Sequence, residues 1–387
     1  MIYLSSFFLK HLRPFRVGLI LVSVLMASAT SMAQGSMPAI KSEVSSTIRE
    51  FRITENDTLT YTLKLALDKT GVPQYFFRNI FTPVCYTNEC KPVHVNFYWD
   101  LLGNFQRYEM PEGKILTKVD HDEFQKEDYQ KLQEILSREN SIFRDLEMKD
   151  LITEGTDDLS DSVDTKSGAT LKTIKNEVID GAVYTCFTLW KIAYGPVTKE
   201  IKNIISEYEN KDLYLDFLRS NNHHYQYYAL DRVLDINGSV PHDYIQAVKG
   251  VMSGKNIFTA KYALEKVGAS FLEKIETQEW LQKLYGASPF STQMVILKKL
   301  SDLNINEASL SGWITWLPDG NEAQRKQLSE LIKKQKLSAI AQRQLARYLT
   351  NEDRALAELS YDILTHNKEY QTKVGREIEA YQKKTQN

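Results

Sequence analysis

The sequence predicts an α+β domain followed by an all-α domain, and three observations lead there. Between Phe51 and Met110, short runs rich in β-branched and aromatic residues alternate with Gly, Pro and Asn breaks, which is the pattern of strands. An amphipathic helical pattern follows them, so strands and helices are segregated along the chain. Beyond about Thr198 no strand pattern returns, and short helical phrases recur at a near-constant spacing.

Taken in order, residues 1–33 read as a targeting segment. A positive flank, Lys10, Arg13 and Arg16, precedes the uncharged run Val17 to Ala33, and Ser31 and Ala33 supply a small-residue cleavage site before Gln34. This is the pattern of a signal peptide for Sec export, or of an uncleaved anchor at the short edge of membrane-spanning length. Either way the address is extracytoplasmic: the periplasm or the outer face of the cytoplasmic membrane. Residues 34–50 are polar and aperiodic and read as a linker.

The domain over 51–197 is expected to hold strands in "TLTYTLKLAL", "PQYFFRNIFTPV" and "PVHVNFYWDLLGNFQRYEMP". A helix is expected in "DHDEFQKEDYQKLQEILSREN", where Phe124, Tyr129, Leu132, Ile135 and Leu136 fall at helical spacing and Asp122 is placed to cap. Asp157 to Lys166 is turn-like. A second helix is expected around Val183, Phe187, Trp190 and Tyr194, with Asp180 as its cap and Gly195-Pro196 as its stop.

In the domain over 198–387, "YYALDRV" at 227–233 matches "KYALEKV" at 261–267, an offset of 261 minus 227, or 34 residues. "MVILKKL" at 294–300 follows 33 later, and helices are expected at "LSAIAQRQLARYL" and "RALAELSYDIL". Thr350 and Asp353 before the latter resemble a capping box. A repeat of this length suits a HEAT-like helical array, with an ordinary helical bundle as the other reading. Its extended surface would serve a protein partner.

Composition narrows the function. The formal net charge is -2; removing the three cations of residues 1–33 gives -2 minus 3, or -5, which argues against nucleic acid as a partner. Three cysteines are too few for a disulfide-built scaffold. In an oxidising compartment Cys85 and Cys90 suit a disulfide across a short loop, and their spacing differs from the C-x-x-C of thioredoxin-like dithiols. Cys186 falls on the apolar face of the second expected helix. His223 and His224 are adjacent, not at the i, i+4 spacing that converges on a metal. No P-loop, dinucleotide fingerprint, nucleophile elbow or haem-attachment motif is present, so no catalytic residue is assigned.

The stretch "VDTKSGATLKT", Val163 to Thr173, remains. Its pattern is D-x-x-S-G-A-T-x-x-T: Asp164, Ser167, Gly168, Ala169, Thr170 and Thr173. Gly168 permits close approach to the main chain, and Ala169 adds almost no shield, so the Thr170 hydroxyl is presented. If a helix or turn begins just after it, free N–H groups favour a phosphate there, with Lys172 and Lys175 adding positive charge. The competing reading is a loop entering a helix, with Thr170 or Ser167 as its cap.

At these residues the chain resembles the covalent FMN-binding domain family, known from FMN-carrying subunits of sodium-pumping NADH:quinone reductases, Rnf-type complexes and several extracytoplasmic reductases. The strong resemblance covers residues 163–173, with a looser one over 51–195. It implies FMN joined by a phosphodiester to Thr170, installed by a flavin transferase that uses FAD. It implies also that Ser167, Gly168 and Ala169 surround the phosphate and that Asp164 and Thr173 serve recognition or hold the loop. The chain would then be an exported electron carrier working with extracytoplasmic or membrane redox proteins, and not an independent enzyme. The alternative is a helical-repeat scaffold whose first domain lacks flavin. Ring-contacting aromatics are sought in "FYWDLLGNFQRY" and "YTCFTLW".

Overall fold

Alternation along the chain builds the sheet. β1 (Thr47–Asn56), β2 (Leu59–Leu67), β3 (Pro73–Thr82), β4 (Val93–Trp99) and β5 (Phe105–Glu109) form one antiparallel meander in sequence order. β2 buries Tyr61, Leu63, Leu65 and Leu67, and β4 buries Val93, Val95, Phe97 and Trp99. Period two places each set on one face of the sheet, where Phe76 pairs with Leu65 and Ile80 with Val95. The expected strands are therefore present. β1 is an addition: its first residues, Thr47 to Glu50, lie in the segment expected as linker. Arg49, Glu50, Arg52 and Glu55 hide the strand pattern locally, and pairing with β2 creates it.

The computed structural model describes residues 47–84, 91–118, 121–148, 178–366 and 374–386. The chain divides into two compact units, Met1–Val44 and Ser45–Asn387, and every described residue belongs to the second. The targeting segment, Cys85, Cys90 and the whole stretch Val163 to Thr173 lie outside the described residues.

α1 (Lys126–Leu136) buries Leu132, Ile135 and Leu136 as its pattern requires. Its start is not capped by Asp122. Gln125 is the cap position, and its N–H donates to Asp128 Oδ2 at 2.8 Å. α2 (Val183–Tyr194) ends at Gly195 as expected, but Ala182, not Asp180, precedes it, and no side chain caps it. A helix this buried is held by packing, so a cap is dispensable: Thr185, Cys186, Phe187, Leu189, Trp190 and Ala193 are all enclosed.

α3 (Val197–Ser206) starts directly after Pro196. Then follow α4 (Lys211–Arg219), α5 (His223–Val233), α6 (Ile245–Met252), α7 (Ile257–Lys266), the short α8 (Ala269–Leu272), α9 (Ile275–Ala287), α10 (Phe290–Leu300), α11 (Glu307–Ile314), α12 (Glu322–Lys333), α13 (Ala339–Tyr348), α14 (Arg354–His366) and α15 (Gly375–Gln386). Neighbours pack as pairs, α4 with α5, α6 with α7, α9 with α10, α11 with α12, and α13 with α14. The second members also pack on each other in one line, α5, α7, α10, α12, α14. Their starts at 223, 257, 290, 322 and 354 recur after 34, 33, 32 and 32 residues.

The three matched phrases fall in register on this line. They bury Ala229, Leu230 and Val233, then Ala263, Leu264 and Val267, then Ile296, Leu297 and Leu300. In the last turns of α5, α7, α10 and α12 stand Arg232, Lys266, Lys299 and Lys333, each gripping an acceptor on another element: Glu209, Asp231, the Glu265 carbonyl and Asp362. A cation there also suits the helix C-terminus. α14 is capped by Asp353, which accepts from the Leu356 N–H, while Thr350 donates to the Arg347 carbonyl; the capping-box expectation had the wrong residue.

The sheet and the helices share one hydrophobic cluster running from Tyr61 to Ile378. No break in packing falls at residue 198. Trp99 of β4 donates from its indole to the Ala193 carbonyl of α2 at 2.8 Å, and the Leu101 N–H donates to the Tyr225 hydroxyl of α5 at 2.9 Å.

Candidate functional site

Three local features shape a cleft beside the β4–β5 hairpin. The first is the hairpin turn itself. Asp100 accepts from the N–H groups of Leu102 and Asn104 and from Asn104 Nδ2, and Gly103 takes φ +83°. A Cβ on Gly103 would stand 3.1 Å from the Thr198 carbonyl oxygen, so a glycine here lets the turn press against the start of α3 and forms one wall.

The second is the corner between α2 and α3, where Gly195 and Pro196 turn the chain. α2 presents Trp190, Lys191 and Tyr194 to the cleft, and α3 presents Thr198 and Lys202. The Trp190 and Tyr194 rings lie 4.9 Å apart at 35°. Each is pinned by a hydrogen bond to the end of α1: Trp190 Nε1 to the Arg138 carbonyl at 2.9 Å, and the Tyr194 hydroxyl to the Leu136 carbonyl at 2.7 Å. Burial pushes the Tyr194 phenol up to about 12, with Glu139 adding to the rise, so it remains a neutral donor.

The third is the segment after α1. Ser141 accepts from the Phe143 N–H and starts a 3-10 turn, Ile142–Arg144, whose Phe143 packs edge-on against Phe187, with ring centroids 5.7 Å apart. Arg144 is thereby set at the cleft mouth, donating from Nη2 to the Glu139 carbonyl and to Asn140 Oδ1, both at 3.0 Å. Lys191 Nζ donates to the Arg144 carbonyl at 3.0 Å and ties α2 to this turn.

The resulting cleft measures about 700 Å³, within the usual range for small-molecule sites. Arg144, Lys191 and Lys202 line it against Glu55 and Glu139, so three cations oppose two acids, a net of +1. Trp190 is 3% exposed and gives the cleft little ring face, so Tyr194 and the excess of cations are what it offers, which suits an anionic group.

Of the sequence-derived site residues, Asp164, Ser167, Gly168, Ala169, Thr170 and Thr173 all fall between Met148 and Val178, outside the described residues. The described chain leaves at Met148, four residues after the Arg144 turn, and returns at Val178, five residues before α2, whose cleft residues Trp190, Lys191 and Tyr194 stand in its last two turns. Trp190 comes from the aromatic class sought in "YTCFTLW", while "FYWDLLGNFQRY" contributes Leu102, Gly103 and Asn104 in place of an aromatic. Sequence reasoning missed Arg144, Lys191 and Lys202. One signal was available, since Lys191 is the sole charged residue of an otherwise enclosed helix.

Cys186 is fully buried, and desolvation pushes its thiol up to about 12. The His223 and His224 rings do not diverge; they lie 4.0 Å apart on the first turn of α5. Among the described residues no group of three or more His, Cys, Asp and Glu could hold a metal, and no helix is long and apolar enough to cross a membrane. No protein-family model matches the chain, and no curated protein matches it.

Proposed function

We propose that this chain is an exported electron carrier bearing FMN covalently on Thr170. The observation that carries this reading is the D-x-x-S-G-A-T-x-x-T pattern of Asp164 to Thr173. The cleft is compatible with it, because the interval holding that pattern lies in sequence between the Arg144 turn and α2, each of which contributes lining residues. A bound flavin would supply one- and two-electron transfer. The chain's own residues would position it: Tyr194 would border the ring, and Arg144, Lys191 and Lys202 would attract its electron-rich atoms. Ser167 to Ala169 would surround the phosphate, with Asp164 and Thr173 holding the loop. A flavin transferase would install the group, and extracytoplasmic or membrane redox proteins would exchange electrons with it.

The helices beyond residue 198 we read as HEAT-like repeats whose surface holds a protein partner. Their 32–34-residue recurrence and the line from α5 to α14 favour this over an ordinary bundle. The exposed Phe258 and Phe290, at the starts of α7 and α10, favour a second reading in which this surface is the whole function and the first domain lacks flavin.

Co-expression with a flavin transferase separates the two. In-gel fluorescence under ultraviolet light and intact mass should show FMN that disappears in Thr170→Ala. A chain that stays unlabelled beside a working transferase overturns the carrier reading; label that survives Thr170→Ala overturns only the attachment residue.

A further inference from the structure

The two edges of the sheet are treated differently. β5 is covered: Gln133 of α1 accepts from the Tyr108 N–H through Oε1 and donates to the Gln106 carbonyl through Nε2. A side-chain amide thus stands in for a sixth strand. β1, at the other edge, pairs with β2 on one side and with no described strand on the other. It is ten residues long, against five for β5, and only Phe51 and Ile53 are even part-buried. Long free edges invite pairing with another strand, and natural sheets normally shorten or cover them.

We infer that β1 pairs antiparallel with β1 of a second copy of this chain, about a two-fold axis at Phe51. The charges of the strand select this arrangement. With Phe51 opposite its own copy, Glu50 faces Arg52 of the second chain and Arg52 faces Glu50, so two opposite-charge pairs flank the axis. Arg49 then faces Ile53, Ile48 faces Thr54, and Thr47 faces Glu55, with no like charges opposed. Centring the pair on Glu50 or on Arg52 instead sets that residue against its own copy. One sequence thereby favours a single register and disfavours its neighbours on the same face, as specific pairing requires.

The geometry of β1 agrees. Glu50 lies opposite Lys64 of β2 and makes a 3.4 Å ion pair with it, so this carboxylate would stand between a cation of its own chain and one of the second. Arg49, on the other face, donates to the Tyr208 hydroxyl at 2.9 Å and anchors the strand. The joined sheet would have ten strands, and Glu55, which lines the cleft from the end of β1, would face Thr47 of the second chain. Main-chain pairing would supply affinity, and the Glu50–Arg52 pairs the register.

Sedimentation velocity on the purified chain over a concentration series tests the proposal, with circular dichroism to show that each variant is folded. The wild type should form a dimer. Glu50→Arg and Arg52→Glu should each weaken it by about tenfold or more, since each sets two like-charge pairs across the axis. The double exchange Glu50→Arg with Arg52→Glu restores opposite charges at both places and should restore the dimer. A wild type that is monomeric up to about 100 µM, roughly −5.5 kcal/mol of association, overturns the inference. So does a dimer that both single exchanges leave intact, or one that the double exchange fails to rescue.

Discussion

Asn222 Nδ2 donates to Asp100 Oδ2 at 3.0 Å, joining two residues 122 positions apart. The same side chain accepts from the His224 N–H through Oδ1 and so caps α5. Asp100 in turn holds the β4–β5 turn that walls the cleft. One amide therefore fastens the helical line to the hairpin. Replacing it by alanine removes a cap and a charge-assisted hydrogen bond to a buried carboxylate, together worth roughly 2 kcal/mol. Urea unfolding of Asn222→Ala should show that loss, and a loss below about 0.5 kcal/mol would contradict the role given to this contact.

Glu209 makes stability depend on acid. Burial pushes its carboxyl up, but hydrogen bonds from Tyr214 and Tyr228 and the Arg232 guanidinium outweigh it, and the net shift is below the ordinary value of 4.5. A group depressed in the folded state contributes stability that is present above the unfolded value and is lost as pH falls through the folded one. Tyr228→Phe should therefore destabilise at pH 7 by about 1 kcal/mol, and the gap to wild type should close as pH drops below about 4. A gap that is constant from pH 7 to pH 3 would show that this carboxylate is not responsible.

Cys186 should behave as an inert core residue. Its raised thiol and full enclosure between the sheet and α1 predict that iodoacetamide leaves it unlabelled in the native chain at pH 8 and labels it in urea. Rapid native labelling, located by peptide mass, would contradict that. The same digest, run without reductant, reports whether Cys85 and Cys90 are bridged.

If FMN is carried on Thr170 as proposed, the cleft cations should set its potential. A nearby positive charge favours the electron-rich reduced form, so Lys191→Gln should lower the midpoint on the order of 30 mV, about 1.4 kcal/mol for two electrons. Spectroelectrochemistry of the FMN-loaded chain reads this directly. An unchanged midpoint, with label present and folding intact, would place the ring elsewhere and leave the attachment reading untouched.

The legible parts of this sequence are those where local pattern and tertiary role agree. Leu63 and Leu65 alternate because one face of β2 is enclosed, and Ala229 with Ala263 repeat because two helices meet the same neighbour geometry. β1 was illegible at Thr47 to Glu50, where charges occupy a strand that only its pairing defines. The caps of α1 and α14 differ from expectation for a related reason: several acids or hydroxyls stand near each start, and backbone geometry chooses among them, while α2 has no side-chain cap at all. The cleft was illegible because Arg144, Lys191 and Lys202 come from three elements with no shared spacing. Only the fold brings them together, whereas the Asp164 to Thr173 pattern is local in sequence and lies outside the described residues.

The bonds from Trp99 to Ala193 and from Leu101 to Tyr225 span 94 and 124 residues. Ribosomes add about 5–20 residues each second, so β4 waits on the order of ten seconds for the helices that cover its buried face. During that time Val95, Phe97 and Trp99 have no final place to go. Whatever compartment the chain folds in, an N-terminus-first order leaves that face uncovered until the helices follow.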